Sequence, residues 1–209
     1  MTPLAVIPFR PLNPKSRLSG IMTREERELF AAAMLTDVIG AVTAAGCTPL
    51  VLATTPYTVA SVRVRVTDAD LSTALNTLLR DQDGPVLIMM ADIPLATKEA
   101  ITAVISADAD VAIVPGRGGG TNAIYLQQGS SFATDYYGQS FMKHCRIAEE
   151  RNLSLEVIDS FRLYVDIDEE EDLVDLLIHG TGESAALLRS FGFQPISMKG
   201  RVSVIRSSP

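Results

Sequence analysis

Cysteine is scarce. The 209 residues contain two, Cys47 and Cys145, far apart and without CxxC spacing. Scattered thiols of this kind predict a reducing compartment rather than a disulfide framework, so the cytoplasm is the expected location. Histidine is as rare, with only His144 and His179, and no Ser-His-Asp arrangement can be recognised. Positive charge is in deficit: 18 Lys and Arg against 25 Asp and Glu give a formal net charge of -7. That balance argues against a nucleic-acid partner, because a duplex backbone needs a cationic face. It leaves room for a nucleotide as a small ligand, which needs only a few local cations or a metal. No apolar run approaches the length of a membrane span, and the short apolar start TPLAVIPFRPL lacks the basic region of a signal peptide, so no membrane partner is expected. Repeats, low-complexity tracts and dividing linkers are also missing, and residues 1–209 read as a single domain.

The apolar residues are arranged as alternating strands and helices. Leu4–Phe9 reads as a buried strand that Pro8 should terminate, because proline cannot donate to a central ladder. A loop over 10–20 follows, then a helix that begins at a Thr23/Glu26 capping box and stops at Gly46. Strands are predicted at Pro49–Thr55, Val62–Val66, Pro85–Ala91, Asp110–Pro115, Ala123–Leu126, Leu155–Ile158 and Leu163–Asp168. Helices are predicted at Leu71–Arg80, from Thr97 to Ile105, and at Ser140–Asn152, Glu171–Ile178 and Glu183–Ser190, with Gln194–Arg206 as a single terminal strand. Pro85–Ala91 is apolar throughout, as a strand covered on both faces should be. The pattern predicts a three-layer α/β/α sandwich around a mostly parallel, mixed sheet, Rossmann-like in kind. Ligands of such sheets bind beyond the carboxyl ends of the strands, so the polar segments that follow strands are where chemistry is expected.

Arg10, Lys15 and Arg17 put three cations into eight loop residues between the first strand and the first helix. They suit a polyphosphate, and a solvated basic loop is the competing reading. Asp92 ends the apolar strand and is costly there if buried alone; either a metal or a helix N-terminus must compensate, and Thr97 competes for the capping task. In VDIDEEEDL, Asp166 and Asp168 share one side of an extended strand, and Asp168 can complete a metal site with Asp92. Glu170, Glu171 and Asp172 are accounted for as first-turn helix acids. GRGGGTN, residues 116–122, matches neither GxxxxGK[ST] nor GxGxxG but allows close backbone approach to an anion. Gly138, Ser140, Lys143 and His144 gather around a helix start, where adjacent Lys143 and His144 must point about 100° apart.

IPFRPLNPKSRL, ADIP, GRGGGTNA, SFxxH and VDIDEEEDL occur here in one order. In this the chain resembles the 2-phospho-L-lactate guanylyltransferases of coenzyme F-420 biosynthesis, archaeal members among them, over residues 6–173. These belong to the nucleotidyltransferases with a glycosyltransferase-A-like, nucleotide-diphospho-sugar transferase-like fold. The resemblance implies attack of a phospholactate phosphate oxygen on the α-phosphorus of GTP, with loss of diphosphate; related members use phosphoenolpyruvate or 3-phosphoglycerate. A phosphate monoester is largely dianionic at neutral pH, so no general base is required and the task is positioning and charge neutralisation. The implied roles are Mg²⁺ at Asp92 and Asp168, with Asp166 as a further carboxylate, and catalysis by Asp92, Lys15 and Arg17. The nucleotide would bind at Pro8, Phe9, Arg10, Lys15 and Arg17, with Asp68 as an acceptor for guanine N–H groups. The phosphorylated acid would bind at Gly119, Gly120, Thr121, Asn122, Gly138, Ser140 and His144. A homodimer is the implied assembly. Position 10 departs from the family's usual Lys, and residues 71–75 read LSTAL where LNxAL is usual. Other same-fold enzymes carry a GGxSxRMG-type loop after the first strand, which RPLNPKSRL does not match. A non-enzymatic nucleotide-binding module would leave RGGGTN and SFxxH unexplained.

Overall fold

The structure, a computed structural model, describes residues 1–198 and 200–207. Seven strands form one sheet: β1 (Leu4–Phe9), β2 (Thr48–Ala53), β3 (Arg63–Val66), β4 (Val86–Met89), β5 (Val111–Pro115), β6 (Thr121–Leu126) and β7 (Leu155–Val157). Their spatial order is β3-β2-β1-β4-β6-β5-β7. All pairings are parallel except those of β6, which runs antiparallel to both β4 and β5. Helices α1 (Arg24–Ala44), α2 (Leu71–Leu79), α3 (Lys98–Ile105), α4 (Ser140–Glu150), α5 (Phe161–Tyr164), α6 (Asp172–His179) and α7 (Glu183–Ser190) complete the layers. Side chains alternate along the strands into two cores. Ala5, Ile7, Leu87 and Met89 pack under α1, α3, α6 and α7, while Val6, Val86 and Ile88 pack under α2 and α4. The three-layer α/β reading therefore holds, and the Thr23/Glu26 box caps α1 as its spacing predicts.

Several elements differ from expectation. Pro8 does not end β1; it lies inside the strand, opposite Leu52 of β2. Its missing N–H acts on the other edge. The β1–β4 ladder stops at Val6–Ile88, so the two strands part just where each meets its polar segment. Leu163–Asp168 is not a strand. The chain turns through α5 and then crosses the end of the sheet, held by a hydrogen bond from Ile167 N–H to the Asp92 carbonyl at 2.9 Å. Leu163, Val165 and Ile167 are buried because the crossing segment lies on the core, so the apolar alternation reports packing without a ladder. Thr121 and Asn122 belong to β6 instead of the preceding loop. The tail is a two-stranded antiparallel ribbon of β8 (Phe193–Met198) and β9 (Arg201–Arg206) rather than one strand; within it Lys199 lies outside the described residues. Among the described residues, no helix is long and apolar enough to cross a membrane.

Candidate active site

The order of the strands reverses between β1 and β4, and because β6 is antiparallel its first residues reach the same rim of the sheet. A cleft of about 350 Å³ opens there. Its walls include Pro8, Phe9, Arg10 and Lys15 on one side and Met90, Ala91, Asp92 and Asp168 on the other.

Lys15 sits at the centre. Its Nζ donates to Asp92 Oδ2 at 2.6 Å and to Asp168 Oδ1 at 2.9 Å. Burial by itself would lower the Lys15 pKa, but the charges of Asp92 and Asp168 together outweigh it and hold the ammonium above its ordinary range. For Asp168, burial pushes up while Lys15 and then Arg17 pull down, and the net result lies below the usual carboxylate range. Arg17 is exposed at the mouth, with Nη1 at 3.1 Å from both Asp168 Oδ2 and Glu169 Oε1.

The loop that presents Lys15 is bent into an uncommon shape. Asn13 and Lys15 both have left-handed backbones, with φ of 47° and 50°. Arg27 of α1, buried at 7% exposure, supplies the restraint: it donates to the Pro14 and Met22 carbonyls, each at 3.1 Å, and to Asn13 Oδ1 at 2.7 Å. The sequence offered no sign of this role, because an Arg in the first turn of an amphipathic helix reads as a solvated residue. Arg27→Met should leave three acceptors without this donor and destabilise the fold by about 1–3 kcal/mol. It should also impair any activity that depends on Lys15, because the loop that presents Lys15 loses its restraint. Urea unfolding and initial-rate kinetics check both; unchanged stability would remove Arg27 from this role.

Asp166 meets the requirements of a cation ligand. Its Oδ1 is buried and has no hydrogen-bond partner among the described residues. Burial first, and then the charge of Asp92, push its carboxyl above the ordinary range. An orphaned carboxylate oxygen within the field of two further aspartates is the arrangement a divalent cation relieves. No three acidic, His or Cys side chains among the described residues form a complete protein cage. A Mg²⁺ site would need only one or two protein carboxylates, the rest of its shell being water and substrate phosphates. Thr97 caps α3, with Ala100 N–H donating to its Oγ1 at 3.3 Å, so Asp92 is free of the capping task.

The glycine segment lies along the same rim. Arg117 forms ion pairs with Asp172 and Asp175 of α6. Asp172 Oδ2 in turn accepts the backbone N–H groups of Asp168 (2.9 Å) and Glu169 (2.7 Å). Asp172 is thus more than a first-turn helix acid: it is buried and ties the glycine loop to the aspartate segment. Asn122, expected to shape the acceptor pocket, instead turns its side chain inward. Its Nδ2 donates to the Leu163 and Tyr164 carbonyls, both at 2.9 Å, which sets the exit of the aspartate-bearing segment. Gly116 is required by this contact, since a Cβ there would fall 2.2 Å from Asn122 Oδ1. Gly116→Ala should cost about 1–3 kcal/mol by overpacking and lower the melting temperature. A variant as stable as wild type would mean the Asn122 contact yields freely.

Gly119 and Gly120 precede Thr121 beside the start of α4, with Gly119 and Gly138 at φ of 84° and 71°. Thr121, Ser140 and His144 are buried and in mutual contact: Ser140 Oγ lies 3.1 Å and His144 Nδ1 3.0 Å from Thr121 Oγ1. Lys143 points elsewhere, to Asp135 at 2.9 Å, as adjacency on a helix requires. The expected residues therefore form two groups. Pro8, Phe9, Arg10, Lys15, Asp92 and Asp168 line the cleft; Gly119, Gly120, Thr121, Gly138, Ser140 and His144 cluster beside it. Asp68 joins neither. It is exposed, while its neighbours Thr67 and Ala69 line the cleft with Leu52, Thr54 and Leu71. Ser72 is engaged by Tyr136 N–H at 3.0 Å.

This sheet order, with carboxylates and cations at its reversal point, defines a nucleotidyltransferase of the nucleotide-diphospho-sugar transferase fold. Two solved structures share the fold. One, from Desulfovibrio desulfuricans G20 and named for the nucleotide-diphospho-sugar transferases, has a TM-score of 0.75 at 16% identity, covering 91% of this chain and 95% of the other. The second, a nucleotidyl transferase from Methanothermobacter thermautotroptrophicus, has a TM-score of 0.56 at 18% identity, covering 90% and 99%. The chain belongs to the guanylyl transferase CofC-like family, whose model matches residues 4–207. It is 55% identical over 206 residues to the 2-phospho-L-lactate guanylyltransferase of Methanoregula boonei, covering 99% of this chain and 96% of the relative. Identity to the enzyme of the same name from Methanospirillum hungatei is 48%, covering 96% and 93%.

Proposed function

We propose that this protein joins GTP and 2-phospho-L-lactate to give lactyl-2-diphospho-5′-guanosine and diphosphate, as a cytoplasmic 2-phospho-L-lactate guanylyltransferase of coenzyme F-420 biosynthesis. The observation that carries the reading is the Lys15 ammonium held between Asp92 and Asp168 at the floor of the cleft, beside β4. It is supported by the near full-length similarity to relatives that bear this name.

An oxygen of the acceptor phosphate forms a bond to the α-phosphorus of GTP, the bond from that phosphorus to the bridging oxygen breaks, and diphosphate departs with the electron pair. The acceptor is already dianionic, so no proton need be removed. Arg10, Lys15 and Arg17 surround the triphosphate and neutralise the charge that builds on the leaving group. Pro8 and Phe9 form the floor against the ribose, and Thr67, Ala69 and Leu71 enclose the base, with Thr67 in place of Asp68 as the polar group beside it. Asp92 and Asp168, with Asp166 next to them, would hold Mg²⁺. When bound, Mg²⁺ would polarise the phosphoryl oxygens and offset their charge. Gly119, Gly120, Thr121, Gly138 and Ser140 receive the phosphorylated acid. A homodimer is part of the same reading, and the free Cys47 and Cys145 fit a reducing cytoplasm.

The test is diphosphate release by purified protein with Mg²⁺, each of four nucleoside triphosphates, and phospholactate, phosphoenolpyruvate or 3-phosphoglycerate. GTP with phospholactate should be the fastest pair. A different best pair would make this a same-fold enzyme of other specificity, and tight nucleotide binding without any release would make it a binding module.

A further inference from the structure

His144 is fully buried, with Phe132 and Tyr136 beside its ring, and both of its ring nitrogens are engaged. The Asp135 backbone N–H points at Nε2 from 2.9 Å. An amide N–H can only donate, so Nε2 carries no hydrogen and the one hydrogen of the neutral ring is on Nδ1. Burial holds the ring pKa down at about 4, against the pull of Asp135, so the neutral form persists through the physiological range. Nδ1–H therefore donates to Thr121 Oγ1 at 3.0 Å.

The remaining hydrogens can be counted. Thr121 and Ser140 bring two hydroxyl hydrogens and share one contact at 3.1 Å. One hydrogen closes that contact. The other has no acceptor among the described residues, although both side chains are nearly inaccessible, at 4% and 2% exposure. With Ser140 donating, Thr121 Oγ1 has both lone pairs filled, and its own hydrogen is left for an acceptor from outside the protein. Gln139, which precedes α4, puts no side-chain cap on that first turn.

We propose that His144 is the positioning residue of the acceptor half of the site: it fills one lone pair of Thr121 Oγ1 so that the Thr121–Ser140 pair presents one hydroxyl hydrogen to an anionic oxygen of the phosphorylated acid. His144 itself never touches that acid. Its role is exerted through Thr121. The inference rests on the acceptor reading given under Proposed function.

Three measurements test it. Imidazole ¹⁵N shifts of the labelled protein should show the Nδ1–H tautomer of His144 from pH 5.5 to 8; an Nε2–H tautomer or an imidazolium would overturn the proposal. His144→Phe keeps ring volume but removes the donor, and should raise the acceptor KM at least about tenfold while the GTP KM stays constant. His144→Asn places an amide N–H near the former Nδ1 and should recover much of that loss. Equal behaviour of the two variants, or a parallel rise in the GTP KM, would assign His144 to general packing. Should the wild type show no turnover with phospholactate, the functional reading fails by itself. Inorganic phosphate dissociation constants of the same three proteins then decide: weaker binding to the Phe variant than to the Asn variant sustains the inference, and equal binding overturns it.

Discussion

Asp92→Asn should reduce guanylyl transfer by well over a hundredfold while the protein remains folded. Losing an outer partner of a metal ligand commonly costs ten- to a hundredfold, so if Asp92 holds Mg²⁺ as proposed above, neutralising it should exceed that range. The fold should survive because Asn is isosteric, Lys15 keeps its bond to Asp168 at 2.9 Å, and the Asp92 carbonyl still receives Ile167 N–H. Steady-state rates and a thermal melt measure the two outcomes together. Near-normal turnover in a folded Asp92→Asn protein would remove this residue from the chemistry.

Lys15→Met should be as damaging to turnover and should have an opposite effect on cation binding. The Lys15 ammonium neutralises Asp92 and Asp168 at close range. Its removal leaves Asp92 without this counter-charge and Asp168 with the exposed Arg17 alone, Asp166 lying beside them. Mn²⁺ titration followed by electron paramagnetic resonance should therefore show tighter binding to the free variant than to the free wild type. Weaker binding would mean that Lys15 does not compete for the carboxylates. Stability should respond to pH in a defined direction. Asp168 has a depressed pKa, so the stabilisation it draws from Lys15 and Arg17 is present above the unfolded carboxylate range and is lost as pH falls through the folded value. Lys15 has a raised pKa, so its part is complete below the unfolded lysine range and is lost only as pH rises through the folded value. The stability gap between wild type and Lys15→Met should accordingly be widest near neutrality and narrow as pH falls below the ordinary carboxylate range. Urea unfolding at several pH values measures it.

Much of the cleft was legible because its parts are local. Arg10, Lys15 and Asp92 each follow a strand whose apolar run is plain in the sequence, and the end of a strand in such a sheet has a known side. Residues 163–168 misled for a physical reason. Alternate burial of Leu163, Val165 and Ile167 arises equally from a strand and from an irregular segment lying across a core, and periodicity cannot separate the two. Arg27 carries no sequence mark of a loop restraint, and the contacts of Asp172 with Arg117 and of Asn122 with residues 163 and 164 lie across long separations in the chain. Asp172 acts on the Arg117 side chain and Asn122 on the 163 and 164 carbonyls, so neither has a local signature. His144 shows the same limit: the SFxxH spacing points to a ligand contact, yet only the direction of the Asp135 N–H reveals which nitrogen bears the hydrogen.

Pro8 gives the cleft its permanence. The cleft lies where the strand order reverses, and Pro8, with no amide hydrogen, cannot extend the β1–β4 ladder beyond Val6–Ile88; that lack is covalent. A nucleotide approaching the gap has no ladder to unzip, so no binding energy is spent on prying two strands apart, and its capture needs no opening step before the first contact.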